Sequence, residues 1–239
     1  MTFATLSNLV CRATVAAGLM LAMPGLALAA PQPVIGLTLS GQPSTVTLTG
    51  VEARVPGFRS ALWGMTVDEV RAAAAKDFGG ARASVPVTDP LTGNTAIIVP
   101  MQSLAPAPGP AAISYVFAAE SNRLIHVNLD WTMTTPTPAQ RSAVLEAGST
   151  TLAGFLGNQW RLGSVVRGVV VQPDLIVLFA GADQAGGGVD VRVGGVPYAL
   201  GSGKTLKTVH QPSGPATLHV GFSAPTSATV TDTIKPGAF

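Results

Sequence analysis

Gly201-Ser202-Gly203-Lys204-Thr205 ends like a phosphate-binding loop, in which backbone N–H groups cradle phosphate, a lysine reaches its outer oxygens and a hydroxyl holds magnesium. The full pattern needs a further glycine at the place held by Tyr198. The residues that follow include His210 and Pro212 and show no helical pattern, so no helix N-terminus stands ready for an anion. This stretch reads as a loop. Residues 181–190, GADQAGGGVD, offer Asp183, Asp190 and pliable backbone to a hard cation such as calcium. They lack the alternating acids of an EF-hand loop, and the apolar runs on either side make them a hairpin connection.

His126, Asn128 and Asp130 alternate with Ile125, Val127, Leu129 and Trp131, so on a strand the three polar side chains share one face. Such a row can ligate a metal or meet a partner, and in most antiparallel sheets it is the wetted side. These three are the candidate partner-contact residues. His210 and His219 have no carboxylate at a ligand-like spacing, and neither H-E-x-x-H nor G-x-S-x-G occurs. No catalytic, cofactor-binding or metal-binding residue is assigned, and no cofactor is expected. Asp68 and Glu69 belong to a helix start, and the remaining acids are scattered, so only the fold can bring two carboxylates together as a glycosidase requires. Trp63, Trp131 and Trp160 are read as packing residues, the alternative being the lining of a pocket.

Two helices have clear starts. Thr66 and Glu69 form a capping box, Met65 and Val70 a hydrophobic staple, and Asp68 and Glu69 suit the positive end of the helix dipole. Val67, Val70, Ala74 and Phe78 make one apolar stripe before Gly79-Gly80 ends the helix. The second start is Thr137-Pro138-Ala139-Gln140, with Leu145, Leu152 and Leu156 expected on the buried side and Gly157 at the end. Alternation predicts strands at 34–39, 45–51, 96–104, 113–119, 123–133, 165–171, 175–180, 189–193, 196–200 and 217–223. Pro100 moves its strand toward an edge. No repeat of 20–50 residues is visible. Two helices among many antiparallel strands, without βαβ alternation, predict an α+β fold with the helices on one face of antiparallel sheets.

Residues 1–29 read as a cleaved signal peptide: Arg12, the apolar run 13–23, Pro24-Gly25, then small residues at Ala27 and Ala29. The alternative is an uncleaved anchor, which needs about 20 apolar residues. Cys11, the one cysteine, falls in this segment, so the remainder has no thiol for a disulfide, a nucleophile, a metal or a lipid. The expected product is periplasmic or secreted, without a stable membrane anchor. A net charge of +2 and 11% charged residues give no basic field for nucleic acid. The division expected is a signal peptide at 1–29, a β segment at 30–56, an α+β unit at 57–160 and a β-rich segment at 161–239.

Phe58-Arg59-Ser60-Ala61-Leu62-Trp63-Gly64-Met65-Thr66, with Glu69-Val70-Arg71 following, resembles the helix start of a group of alphaproteobacterial exported proteins with an F-R-S-A-x-W-G-M segment. More distantly, this start, its helix and the following hairpin are similar to the small α/β units of SmpA/OmlA lipoproteins and β-lactamase-inhibitor-like proteins. The chain differs in its missing lipid-bearing cysteine, its Pro-rich 105–110 insertion and its additional β segment. The resemblance implies a non-catalytic platform for protein contacts in the cell envelope. The sequence therefore carries three expectations: a non-enzymatic envelope protein that binds another protein, a small-ligand binder, and a hydrolase with dispersed carboxylates.

Overall fold

The computed structural model describes residues 50–202, 205–210 and 212–225, and the signal stretch and the strand expected at 34–39 lie outside the described residues. The chain enters through three short strands, β1 (Val51–Glu52), β2 (Gly57–Phe58) and β3 (Ala61–Leu62), and then helix α1 (Val67–Asp77). Strands β4 (Val87–Thr88), β5 (Thr95–Met101), β6 (Ala111–Phe117) and β7 (Leu124–Met133) follow, then helix α2 (Pro138–Leu156). The rest is β8 (Asn158–Gln159), β9 (Val166–Gln172), β10 (Leu175–Ala182), β11 (Gly188–Gly194), the hairpin β12 (Tyr198–Ser202) and β13 (Thr205–His210), and β14 (Ala216–Ser223).

One antiparallel sheet of eight strands, in the order β4-β5-β6-β7-β14-β11-β10-β9, organises everything else. The fold is α+β, as the patterning predicts. The order is symmetric about its centre. Helix α1 precedes a meander running inward from β4 to β7, and helix α2 precedes one running inward from β9 to β14, with β12–β13 inserted before the last strand. The two innermost strands, β7 and β14, pair in antiparallel register from Ala216↔Met133 to Ser223↔His126. Each helix starts with a capping box, Thr66 with Glu69 and Thr137 with Gln140. The strands after residue 160 thus complete the sheet that the earlier ones begin.

Both helices pack on the same face. Ile97, Tyr115 and Val127 stand in register across β5, β6 and β7, and Trp131, Leu218, Val193 and Ile176 across β7, β14, β11 and β10. All are buried in one core with Val70, Ala73 and Ala74 of α1 and Val144 and Ala147 of α2. The inward side of α2 is set by Val144, Ala147 and Gly148 rather than by the leucines. Leu145 and Leu152 are half-buried, and Leu156 is 43% exposed, against the expectation from its type. The reason is close approach: a Cβ on Gly148 would stand 2.7 Å from Val193 and 2.8 Å from Leu178. The helix rests on the sheet at Gly148, so Leu145 and Leu152 pack against the margin of the core and only Leu156 of the expected three turns outward.

The F-R-S-A-x-W-G-M segment builds a corner. Phe58 packs on Phe222 and stacks with Phe78, and the Arg59 guanidinium lies 4.6 Å above the Phe78 ring. Arg59 holds this place with a left-handed backbone, φ 53°, which ordinary side chains seldom adopt. Ser60 donates to the Asp77 carboxylate from both its N–H (2.9 Å) and its hydroxyl (2.7 Å), Ala61 is fully buried, and Gly64 turns at φ 81°. The motif thus ties the entry segment to α1 and also to the sheet, where the Gly64 N–H donates to the Leu124 carbonyl at 3.1 Å and the Met65 carbonyl accepts from the Leu124 N–H at 2.9 Å.

Tyr115 is fully enclosed beneath α1, and its hydroxyl has no hydrogen-bond partner. Burial pushes the phenol far above its ordinary range, the nearby Asp77 adds to this and Arg59 opposes it. An unmade buried hydrogen bond costs about 1–3 kcal/mol. Tyr115→Phe is therefore expected to fold at least as stably as the parent, by up to about 1 kcal/mol more. Urea denaturation measures this, and a clear loss of stability would reveal a partner for the hydroxyl.

Candidate functional site

Because Val127, Leu129 and Trp131 face the helices, His126, Asn128 and Asp130 face the other way. This opposite side of the sheet carries no helix among the described residues. Register then fixes the neighbours of the three residues. His126 lies across from Ser223, which pairs with Gly188; Asn128 from Gly221, which pairs with Asp190; Asp130 from His219, which pairs with Arg192. The result is a three-by-three grid on β7, β14 and β11, centred on a glycine.

The grid is held by charge. His219 Nδ1 lies 2.7 Å from Asp130 Oδ1, and since an ionised carboxylate only accepts, that nitrogen carries the proton. His219 Nε2 faces Asp190 Oδ2 at 3.8 Å, and Arg192 Nε lies 2.7 Å from the same oxygen. Gly221 makes the convergence possible. A Cβ there would meet Asp190 Oδ1 at 2.5 Å and His219 Nε2 at 3.0 Å. Around the grid the face is apolar or small. Ala112, Ser114 and Val116 of β6 border it on one side, and Val177, Ala180 and Ala182 of β10 on the other. Beyond β10 the edge strand β9 adds Val166, Val169 and Val171, which are 42–51% exposed.

His126 is only partly open to solvent. Burial holds its imidazole below the usual value, while Asp190 and the Phe222 backbone carbonyl pull it upward. The sign of the stability effect follows. Above its ordinary value of 6.5 the ring is neutral in both states and contributes no pH dependence. Below it the unfolded chain takes the proton first, so stability falls as pH drops through that value toward the lower folded one. The urea midpoint is expected to fall between about pH 7.5 and about pH 5.5, and to fall less in His126→Gln. Equal slopes for the two proteins would contradict the burial of the ring. Glu69 and Asp89, both lowered by hydrogen bonds (from Thr66, and from Leu91 and Thr92), act only in more acid solution.

The two ring nitrogens of His219 face the carboxylates of Asp130 and Asp190. Asp130 and Asp190 do converge, which their sequence spacing did not reveal, but on an open sheet with the imidazole between them and not across a cleft. No group of three or more His, Cys, Asp or Glu suited to a metal occurs among the described residues. Asp183 is likewise occupied: its carboxylate accepts from the N–H of Val55 at 2.7 Å and of Gly187 at 2.8 Å, closing the β10–β11 hairpin expected there. In the Gly201–Thr205 stretch, Gly201 and Ser202 end β12, Thr205 begins the paired strand β13, and residues 203 and 204 lie outside the described residues.

Each tryptophan N–H donates to a backbone carbonyl: Trp63 to Val55, Trp131 to Leu104 and Trp160 to Phe155. Trp160 also packs on Phe155 and Phe179. Packing accounts for all three, although Trp63 also borders a surface groove lined by Glu52, Pro56, Gln184 and Pro225. A second groove lies between Pro106–Pro108 and the α2 residues Ala143, Glu146 and Thr150. Both open to solvent, unlike the enclosed apolar chamber typical of a small-ligand binder. No helix of the described residues is long and apolar enough to cross a membrane.

Arg192 and Gly221 were not singled out by type or spacing, and Asp190 and His219 were noted only as a loop acid and as a histidine without a carboxylate at ligand-like spacing. Their signal was the alternation of β11 and β14, and only the pairing of those strands with β7 turns it into a site. Compared with known protein families, curated proteins and solved structures, the chain matches none.

Proposed function

We propose that this is a non-enzymatic exported protein of the cell envelope that works by binding another protein through the open face of its eight-stranded sheet. The observation that carries the reading is the grid around Gly221, where Asn128, Asp130, Asp190, Arg192, His126 and His219 gather at the middle of a broad surface whose flanks are apolar or small. A polar, hydrogen-bonding centre gives specificity, and apolar flanks give buried area. Export is supported by the signal-like residues 1–29, and a platform role by the resemblance of the 58–71 segment.

Partner binding by purified variants tests the reading. Asn128→Lys places a long charged chain beside Gly221 and is expected to weaken the complex by at least about tenfold. Glu146→Lys, on the exposed side of α2, is expected to bind as the parent does. Equal affinity of the Asn128→Lys variant and the parent would place the interface elsewhere and overturn the reading.

A further inference from the structure

The charged groups on this face balance in a way that protons can reverse. On β7 stand His126 and Asp130, on β14 His219, and on β11 Asp190 and Arg192. The neighbouring strands add nothing ionisable, since β6 presents Ala112, Ser114 and Val116, and β10 presents Val177, Ala180 and Ala182. With both imidazoles neutral, two carboxylates against one guanidinium leave a single net negative charge. With both imidazoles charged, the same patch carries a single net positive charge. Among the described residues, no other element packed against the grid brings a group that would cancel the change.

We propose that the grid is a proton-operated recognition face, which accepts a cationic surface of its partner near neutral pH and releases it in mild acid. This rests on the interaction reading above and adds to it the charge of the partner and the means of release. Imidazole is the side chain whose unperturbed charge change falls between about pH 5 and 8, and burial moves the step of His126 toward the acid end. Geometry couples the groups. His219 is within 2.7 Å of one acid and 3.8 Å of the other, and the half-buried His126 shares the field of Asp190. A cationic partner seated over Asp130 and Asp190 would oppose protonation of both rings, so binding and protonation compete for the same charge. Covering the face also removes water from His126, whose burial already disfavours its charged form.

The test uses the exported chain and two probes, a lysine-rich and a glutamate-rich decapeptide, at low ionic strength so that screening does not hide the effect. Binding is followed through the ring-proton NMR signals of His126 and His219 between about pH 7.5 and about pH 5.5. The lysine peptide is expected to bind more tightly at the higher pH by about tenfold or more, and to move the His126 ring titration to lower pH. The glutamate peptide is expected to show the opposite order. In the double variant His126→Gln, His219→Gln, checked for cooperative unfolding, the lysine peptide should bind alike at both pH values. Lysine-peptide affinity that does not change with pH in the parent, or the same pH dependence in the double variant, would overturn the proposal. The two readings fail separately. A partner that ignores Asn128→Lys defeats the interface, whereas a partner held by this face equally at both pH values defeats only the proton switch.

Discussion

Asp183→Ala is expected to destabilise the fold by about 3 kcal/mol or more, because hydrogen bonds to a charged acceptor contribute about 1.5–3 kcal/mol each and this carboxylate accepts two. Asp183 is 5% exposed, and it reaches from the β10–β11 turn to the N–H of Val55 in the entry segment. The carbonyl of that same residue accepts the Trp63 indole N–H, and the next strand pair on, β1 with β8, runs parallel through Val51↔Asn158. Loss of the carboxylate leaves the Val55 and Gly187 amides without their acceptor and frees the segment that leads into the α1 corner. Asp183→Asn keeps one acceptor oxygen and is expected to lose roughly half as much. Urea denaturation gives the total, and amide exchange at Val55 gives the local part. An alanine variant as stable as the parent, with Val55 still protected, would show that the entry segment is held by other contacts.

Gly195→Ala is expected to cost about 3 kcal/mol or more, the upper range for forcing atoms into a packed site. Gly195 follows β11 in a left-handed conformation, φ 60°, and a Cβ would lie 1.9 Å from the Pro215 carbonyl oxygen. The obstruction is backbone, so rotating a side chain cannot relieve it. The site is also a junction, since Arg141 of α2 donates to the carbonyls of Gly195 at 2.5 Å and Gly214 at 2.8 Å, joining the helix start to the end of β11 and the approach to β14. Moving Gly195 therefore disturbs the β11–β14 pairing on which the grid depends. Thermal or urea unfolding measures the loss, and an unaffected variant would mean that the turn tolerates a displaced Pro215.

Local elements were legible because their causes are local. Thr66 with Glu69 and Thr137 with Gln140 announce both helices, and both capping boxes form. Asn122 marks the β6–β7 turn and takes the left-handed conformation at φ 51°. Pro100 weakens its strand only where no neighbour needs its N–H: β4 pairs with Thr95 and Ala96 and stops short of it. The buried side of α2 was not legible, since the contact of Gly148 with Val193 and Leu178 belongs to no helical pattern. The symmetric halves were not legible either, because each is longer than a repeat of 20–50 residues and strand alternation looks alike in any sheet. The site was half legible. Alternation set His126, Asn128 and Asp130 on one face, but His219, Asp190 and Arg192 arrive through pairings between residues far apart in the chain.

The central claim is that the open face is the working surface, and site-specific photocrosslinking in the producing cell tests it most directly. Photoreactive residues at Asn128 and at the exposed Thr132 report the open face, and residues at Glu146 and Ser149 report the outer side of α2. The account predicts that one and the same protein is captured from both open-face positions and from neither helix position, with capture reduced by Gly221→Leu. Capture from the helix positions alone, or equal capture from both sides, would contradict it.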